Sequence, residues 1–139
     1  MSGFSMEYLN PEGLPRSAAF SQAISVRGPA RTIYIGGQNA VNARGELVGP
    51  GDLKLQTRQA LLNIRTILDA AGASFRDLVK LNIHLVQGCN PREGFAAYLE
   101  VVGPLDPPPL VTALFVAGLG NPGWLVEIDG VAVTADDGR

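Results

Sequence analysis

Ten consecutive residues, Leu110 to Leu119, carry one polar side chain, Thr112, and this run restricts the possible folds more than any other feature of the chain. Prolines 107 to 109 precede it and Gly118 and Gly120 close it, so its length and punctuation read as a strand rather than a helix. Alternate side chains of a strand point to opposite faces. Leu110, Leu114 and Val116 therefore share one face, and Val111, Ala113 and Phe115 share the other. Both faces are apolar, so both need cover.

The remaining elements can cover only one. Residues 1–17 hold Asn10, Pro11, Gly13 and Pro15 without a sustained period and read as an arm that joins the fold near Phe20, leaving 18–135 as one domain. Ser21 to Val26 and Thr32 to Gly36 are β-rich and flank Arg27-Gly28-Pro29-Ala30, for which an antiparallel hairpin is the simplest connection. Gly36-Gly37 ends that strand and lets the backbone approach something closely. The glycine-rich stretch from Val41 to Gly51 is a surface loop of the kind that borders sites.

Ala60, Leu61, Ile64, Ile67, Leu68 and Ala71 recur at helical spacing and predict a helix from Leu53 to Ala71, with Asp52 as N-cap and Gly72 as stop. Leu78 to Val86 alternates: Val79, Leu81, Ile83 and Leu85 face one way, Lys80, Asn82 and His84 the other. Asn90, Pro91 and Glu93 form the start signature of a second helix that stops at Gly103-Pro104. The order is β-β-α-β-α-β-β, an α+β domain of about five strands and two helices. Two helices cover one sheet face and no more. An exposed apolar patch of this size is rare in a monomer, so the second face calls for self-association or for a chain that curls over its own sheet.

Composition removes several function classes. At 139 residues the chain makes one domain; 46% hydrophobic and 17% charged residues make it globular, and a net charge of -2 offers nucleic acid or an anionic membrane little purchase. Cys89 and His84 are the only residues of their types, which leaves no metal constellation and no intrachain disulfide, and fits a reducing compartment. The N-terminus has no signal-peptide pattern and no apolar run long enough to span a membrane, so the expectation is cytoplasmic.

Gly118, Gly120 and Gly123 spell the dinucleotide fingerprint G-x-G-x-x-G after a strand, but a second strand follows where that motif needs a helix, so a turn explains the glycines. Glu127 alternates with Val126 and Ile128 and shares a face with Asp129, Val131 and Val133. It reads either as a solvated strand acid or as a carboxylate in a half-buried cleft that orients a water or carries a proton. His84 is either a hydrogen-bonded structural residue or a proton carrier. Cys89 precedes a helix N-terminus, which favours thiolates, yet no neighbouring base supports a nucleophile. Arg58 and Arg65 read as solvated, and the scattered basic residues give no RNA footprint.

The segments GGQNAV, TRQALLNIRTILDAAGASFRDLVKLNIHL and GWLVEIDGVAV, in this order of elements, resemble the Rid family of reactive intermediate deaminases, also called YjgF-like, from about Phe20 to Val133. The resemblance implies a chorismate-mutase-like α+β fold, a mixed sheet with two helices on one face, and a homotrimer whose sheets form a central barrel. It implies sites for a small molecule at the subunit interfaces. It also implies hydrolysis of enamines or imines to a keto acid and ammonia, with no cofactor or metal.

Position by position, Glu127 matches the family glutamate that orients water. Gly36 falls where a serine is frequent, Phe20 where a tyrosine is, and Ala113 where a cysteine is. Val111 stands in Pro109-Leu110-Val111-Thr112 where the deaminase branch has an arginine that grips the substrate carboxylate. Valine cannot do this, and Phe20, Val111 and Phe115 predict a less polar pocket for a neutral ligand. Thr112, a candidate catalytic group beside Glu127, and Gln38, Asn39, His84 and Tyr98 are the remaining site candidates. Three readings follow: a hydrolase with altered specificity, a non-catalytic trimer that binds a ligand or partner protein, and an endoribonuclease, which this acidic chain supports least.

Overall fold

The computed structural model describes residues 3–136, and its elements follow the order β1 (Ser5–Leu9), β2 (Ala23–Arg27), β3 (Ala30–Gln38), α1 (Leu53–Ala70), β4 (Leu78–Val86), α2 (Pro91–Val101), β5 (Leu110–Val116) and β6 (Val126–Ala135). Four strands form a mixed sheet in the order β3-β6-β4-β5, in which only β4 and β5 run parallel. A separate two-stranded sheet pairs β1 with β2. The α+β class and the two helices stand. Among the described residues the strands number six, in two sheets, rather than about five in one.

Two local readings are corrected. Ser5–Leu9 lies in the stretch read as an arm, but it is a strand that pairs along its length with β2. The expected hairpin between the second and third strands does not form, because β2 is taken by β1 and β3 by β6. Gly28, at φ +83, makes the exit from one sheet into the other, and a side chain there would collide with the backbone of Gly3 at 2.2 Å.

Both helix starts are as the sequence dictates. Asp52 accepts from the backbone of Leu55, and Asn90 from that of Arg92 with Pro91 beginning α2. Gly72 ends α1 with φ +71, and the Arg31 guanidinium donates to the Ala71 carbonyl at that negative helix end. Lys54 and Glu100 pair at 2.8 Å across the two helices.

Leu61, Ile64 and Leu68 of α1 pack on Leu81, Leu85, Val126, Ile128 and Ala132 in a core between the helices and the sheet. On β4 the strict alternation fails at its start, since Leu78 rather than Val79 is buried. A register shift between Leu78 and Lys80 against β6 adds one residue and reverses the facing of what precedes it. Gly130 pairs with Leu81 just beyond that irregularity, where a Cβ would come within 2.7 Å of the Lys80 carbonyl. On the other side of the sheet Tyr34 is 81% exposed and Leu114 51%, so the second apolar face is open in the single chain. No helix among the described residues is long and apolar enough to cross a membrane.

Candidate functional site

The candidate residues divide between the two faces of the sheet. On the helix side lies an apolar cavity of about 240 Å³. Its floor is Ile83 and Leu85 of β4 with Val111 and Ala113 of β5, as parallel pairing of those strands requires. Thr57 and Leu61 of α1 and Gly94, Phe95 and Tyr98 of α2 form its roof, and Ala19 and Phe20 close one side. Among the described residues no charged side chain lines it. Phe20 reaches the cavity because Ser21 is fastened to the start of β5: its backbone donates to the Pro109 carbonyl at 3.0 Å and its hydroxyl to that of Pro108 at 2.6 Å. Tyr98 stacks on Phe95 with ring centroids 6.2 Å apart, and burial pushes its phenol up from the ordinary value, so it stays a neutral donor or acceptor. Phe115 shares the facing of Val111 and Ala113 but lies beyond the cavity and is half exposed.

Glu127 lies on the opposite face. Strand alternation puts Val126 and Ile128 in the core and turns Glu127 to the open side, with Asp129 and Val131. Asn39 donates from Nδ2 to Glu127 Oε1 at 3.2 Å and to the Val126 carbonyl at the same distance. Asn39 is itself held by α1, where Asn63 donates to the carbonyls of Asn39 and Val41 at 3.1 and 2.9 Å, and Gln59 donates to Asn63 at 2.8 Å. The close approach expected of Gly36-Gly37 is to this acid: a Cβ on Gly37 would meet Glu127 Cδ at 2.9 Å, whereas one on Gly36 would meet nothing. β3 does not end there but continues through Gln38, whose side chain donates to the Gly36 carbonyl at 3.3 Å.

His84 pairs across the ladder with Glu127, its Nδ1 lying 3.3 Å from the Glu127 carbonyl oxygen. Thr112 is turned to this face too, beside Asn82, which donates to Asp129 at 2.7 Å. The structure therefore brings Glu127, Asn39 and His84 together, and Phe20, Tyr98, Val111 and Ala113 together, but not the two groups with each other in one chain.

The G-x-G-x-x-G stretch is the turn between β5 and β6. Gln56, fully buried on α1, donates to the carbonyls of Gly123 and Gly49 at 2.9 and 3.2 Å and accepts from the Leu125 amide at 2.9 Å. Cys89 packs at the edge of the core, where burial and then Glu93 push its thiol up rather than down. Asn63, Gln59, Gln56 and Thr57 were not legible as site residues, because single polar residues on a helix read as solvated.

The architecture is a two-helix α+β domain with an apolar cavity under its helices and a tethered carboxylate on its open face. The model of the family described as Endoribonuclease L-PSP matches residues 12–134, and the chain belongs to that family, the Rid or YjgF-like proteins. The solved structure of YyfB from Yersinia pestis, a Rid-family protein of unknown function, superposes with a TM-score of 0.78 at 35% identity, covering 93% of this chain and 98% of that one. Protein mmf1, mitochondrial, of Schizosaccharomyces pombe is 33% identical over 90% of this chain and 74% of its own. The 2-iminobutanoate/2-iminopropanoate deaminase of Bos taurus is 46% identical over 67 residues, 48% of this chain and 46% of its own.

Proposed function

We propose that this protein is a hydrolase of the Rid family that acts in the cytoplasm on a small enamine, imine or related activated carbon without a carboxylate, and needs neither cofactor nor metal. The observation that carries this reading is Val111 in the floor of a cavity whose lining holds no cationic side chain. A charge-assisted bond to a carboxylate contributes roughly 1.5–3 kcal/mol, and an unpaired carboxylate in such a cavity would lose its water for nothing in return. A neutral substrate has no such cost. Glu127, fixed by Asn39 and flanked by His84, is the group to orient a water, while Thr112 faces the same side of the sheet one strand further off, in line with Asn82 and Asp129.

Because Glu127 and the cavity lie on opposite faces, the reading places each site between two subunits of a homotrimer, the open face of one copy meeting the cavity of the next. Exposed Tyr34 and Leu114 support such an association. A second reading, a non-catalytic trimer that binds a ligand or partner protein, is favoured by the way Asn39 and Gly37 already engage the Glu127 carboxylate. Its role would then be to tie strands.

Keto-acid release from 2-aminoacrylate and 2-iminobutanoate, generated in place by a pyridoxal phosphate lyase, tests the first reading. The protein as it stands is expected to leave the spontaneous rate unchanged and to hydrolyse uncharged imines. Val111→Arg should gain activity on the carboxylated substrates. Acceleration by the wild type equal to that of the variant would show that another group binds the carboxylate. Full turnover by Glu127→Gln would remove the water-orienting role.

A further inference from the structure

We propose that the Thr57 hydroxyl is the polar anchor of the helix-side cavity, selecting ligands with an apolar body and one neutral hydrogen-bonding group, a carbonyl or a hydroxyl. This rests on the hydrolase reading and names the substrate class that the reading leaves open. Thr57 is 4% exposed and lines the cavity, and its Oγ1 has no hydrogen-bond partner among the described residues. The orphan state is not imposed by the helix. Thr66, on the same helix, donates to the Leu62 carbonyl four residues back at 3.0 Å, the bond that Thr57 does not make with Leu53. Buried hydroxyls are nearly always paired, so an unpaired one on a residue that lines a cavity points to a group that arrives from that cavity.

Gly94 supports the same assignment. It lies in the first turn of α2 with no positive φ, so the backbone does not require glycine, and alanine would favour the helix. A Cβ there would lie 3.6 Å from Thr57 Oγ1 and 4.0 Å from Leu53 Cδ2, in ordinary contact, so alanine would fill the space beside that hydroxyl. Glycine leaves that space unfilled. A bound water is a poor substitute, since it needs two to four polar partners and this lining is almost wholly apolar. The volume of about 240 Å³ exceeds the ~150 Å³ of a cavity that takes benzene, so a substituted ring of this kind fits.

Three probes of nearly one shape separate the possibilities: acetophenone with a carbonyl, cumene with none, and benzoate with a charge. They are titrated into the 139-residue protein and followed by the NMR shifts of the Leu61 and Ile83 methyl groups. Acetophenone is expected to bind about fivefold more tightly than cumene, the ratio a net hydrogen bond of ordinary strength gives, and benzoate more weakly than either. Thr57→Val should abolish the acetophenone advantage and leave cumene unchanged. Gly94→Ala should weaken acetophenone most.

Because valine keeps the shape and removes an unpaired hydroxyl, the Thr57→Val protein should melt at or above the wild-type temperature. A marked fall would mean that the hydroxyl is already bonded, and would overturn the proposal. So would acetophenone binding that is indifferent to Thr57→Val, or benzoate binding best. Binding is read without turnover, so the two readings fail separately. Thr57-dependent binding with no hydrolysis of any uncharged imine sinks the hydrolase and keeps the anchor; hydrolysis with a KM unmoved by Thr57→Val does the reverse.

Discussion

At Gly37 the missing side chain is what lets Glu127 lie flat against the neighbouring strand. Alanine there would put its Cβ 2.9 Å from Glu127 Cδ, but the obstacle is the far end of a flexible side chain, so the carboxylate moves rather than the backbone. Gly37→Ala is expected to change unfolding free energy by less than about 1 kcal/mol and to lower turnover by about 100-fold, the scale of a reacting group misplaced by an ångström. A chemical melt and a rate on the same sample check both halves. The close approach at Gly36-Gly37 was legible in the sequence; its object was not, because the two strands involved are separated by most of the chain. Cys89 shows the converse. Its place before a helix N-terminus suggested a reactive thiol, yet burial and Glu93 raise it instead. At neutral pH the thiolate fraction falls below that of an ordinary cysteine, and alkylation by iodoacetamide should be slower than for glutathione at pH 7.5, speeding up as pH rises. A faster rate would restore Cys89 as a nucleophile.

Helices were read from the sequence almost to the residue because their signals are local: Asp52 and Asn90 cap, Pro91 starts, Gly72 stops. Strand pairing was less legible. Nothing in Ser21 to Val26 says that its partner lies before it, at Ser5–Leu9, rather than after it, and no alternation pattern announces the shift at Leu78–Lys80. Gln56 illustrates the same limit on a helix. It stands at the start of the apolar stripe of α1 and looks solvated, but it is fully buried and bonds both the 49–51 turn and the β5–β6 turn. Gln56→Leu keeps the volume and strips those turns of three hydrogen bonds, leaving the Leu125 amide and the Gly123 carbonyl without their partner. A destabilisation of about 2–4 kcal/mol is expected from a urea melt, with the midpoint lowered and the slope unchanged. A loss under about 0.5 kcal/mol would mean that the turns hold themselves.

The apolar side chains on both faces of β5 demand a partner surface, and the folded chain keeps that demand, with Tyr34 and Leu114 bare on the open face. What no single strand could reveal is that the site residues would be divided by the sheet, since facing depends on which neighbours each strand pairs with. If the proposed site joins Glu127 of one copy to the cavity of the next, its two halves can be damaged separately and recombined. Glu127→Gln spoils one half, and Ala113→Phe fills the other. Each homo-oligomer should be inactive. Co-refolded in equal amounts, the two variants should regain about a quarter of the wild-type rate per subunit, because an intact site needs one particular neighbour on each side of an interface drawn at random. Leu114→Glu, which sets a charge on the open face, should abolish both the oligomer in sedimentation and the activity while leaving the far-UV spectrum unchanged. Recovery near zero in the mixture, with the oligomer intact, would place both halves in one chain or leave Glu127 outside the chemistry, and the trimeric binding module would become the better account of the fold.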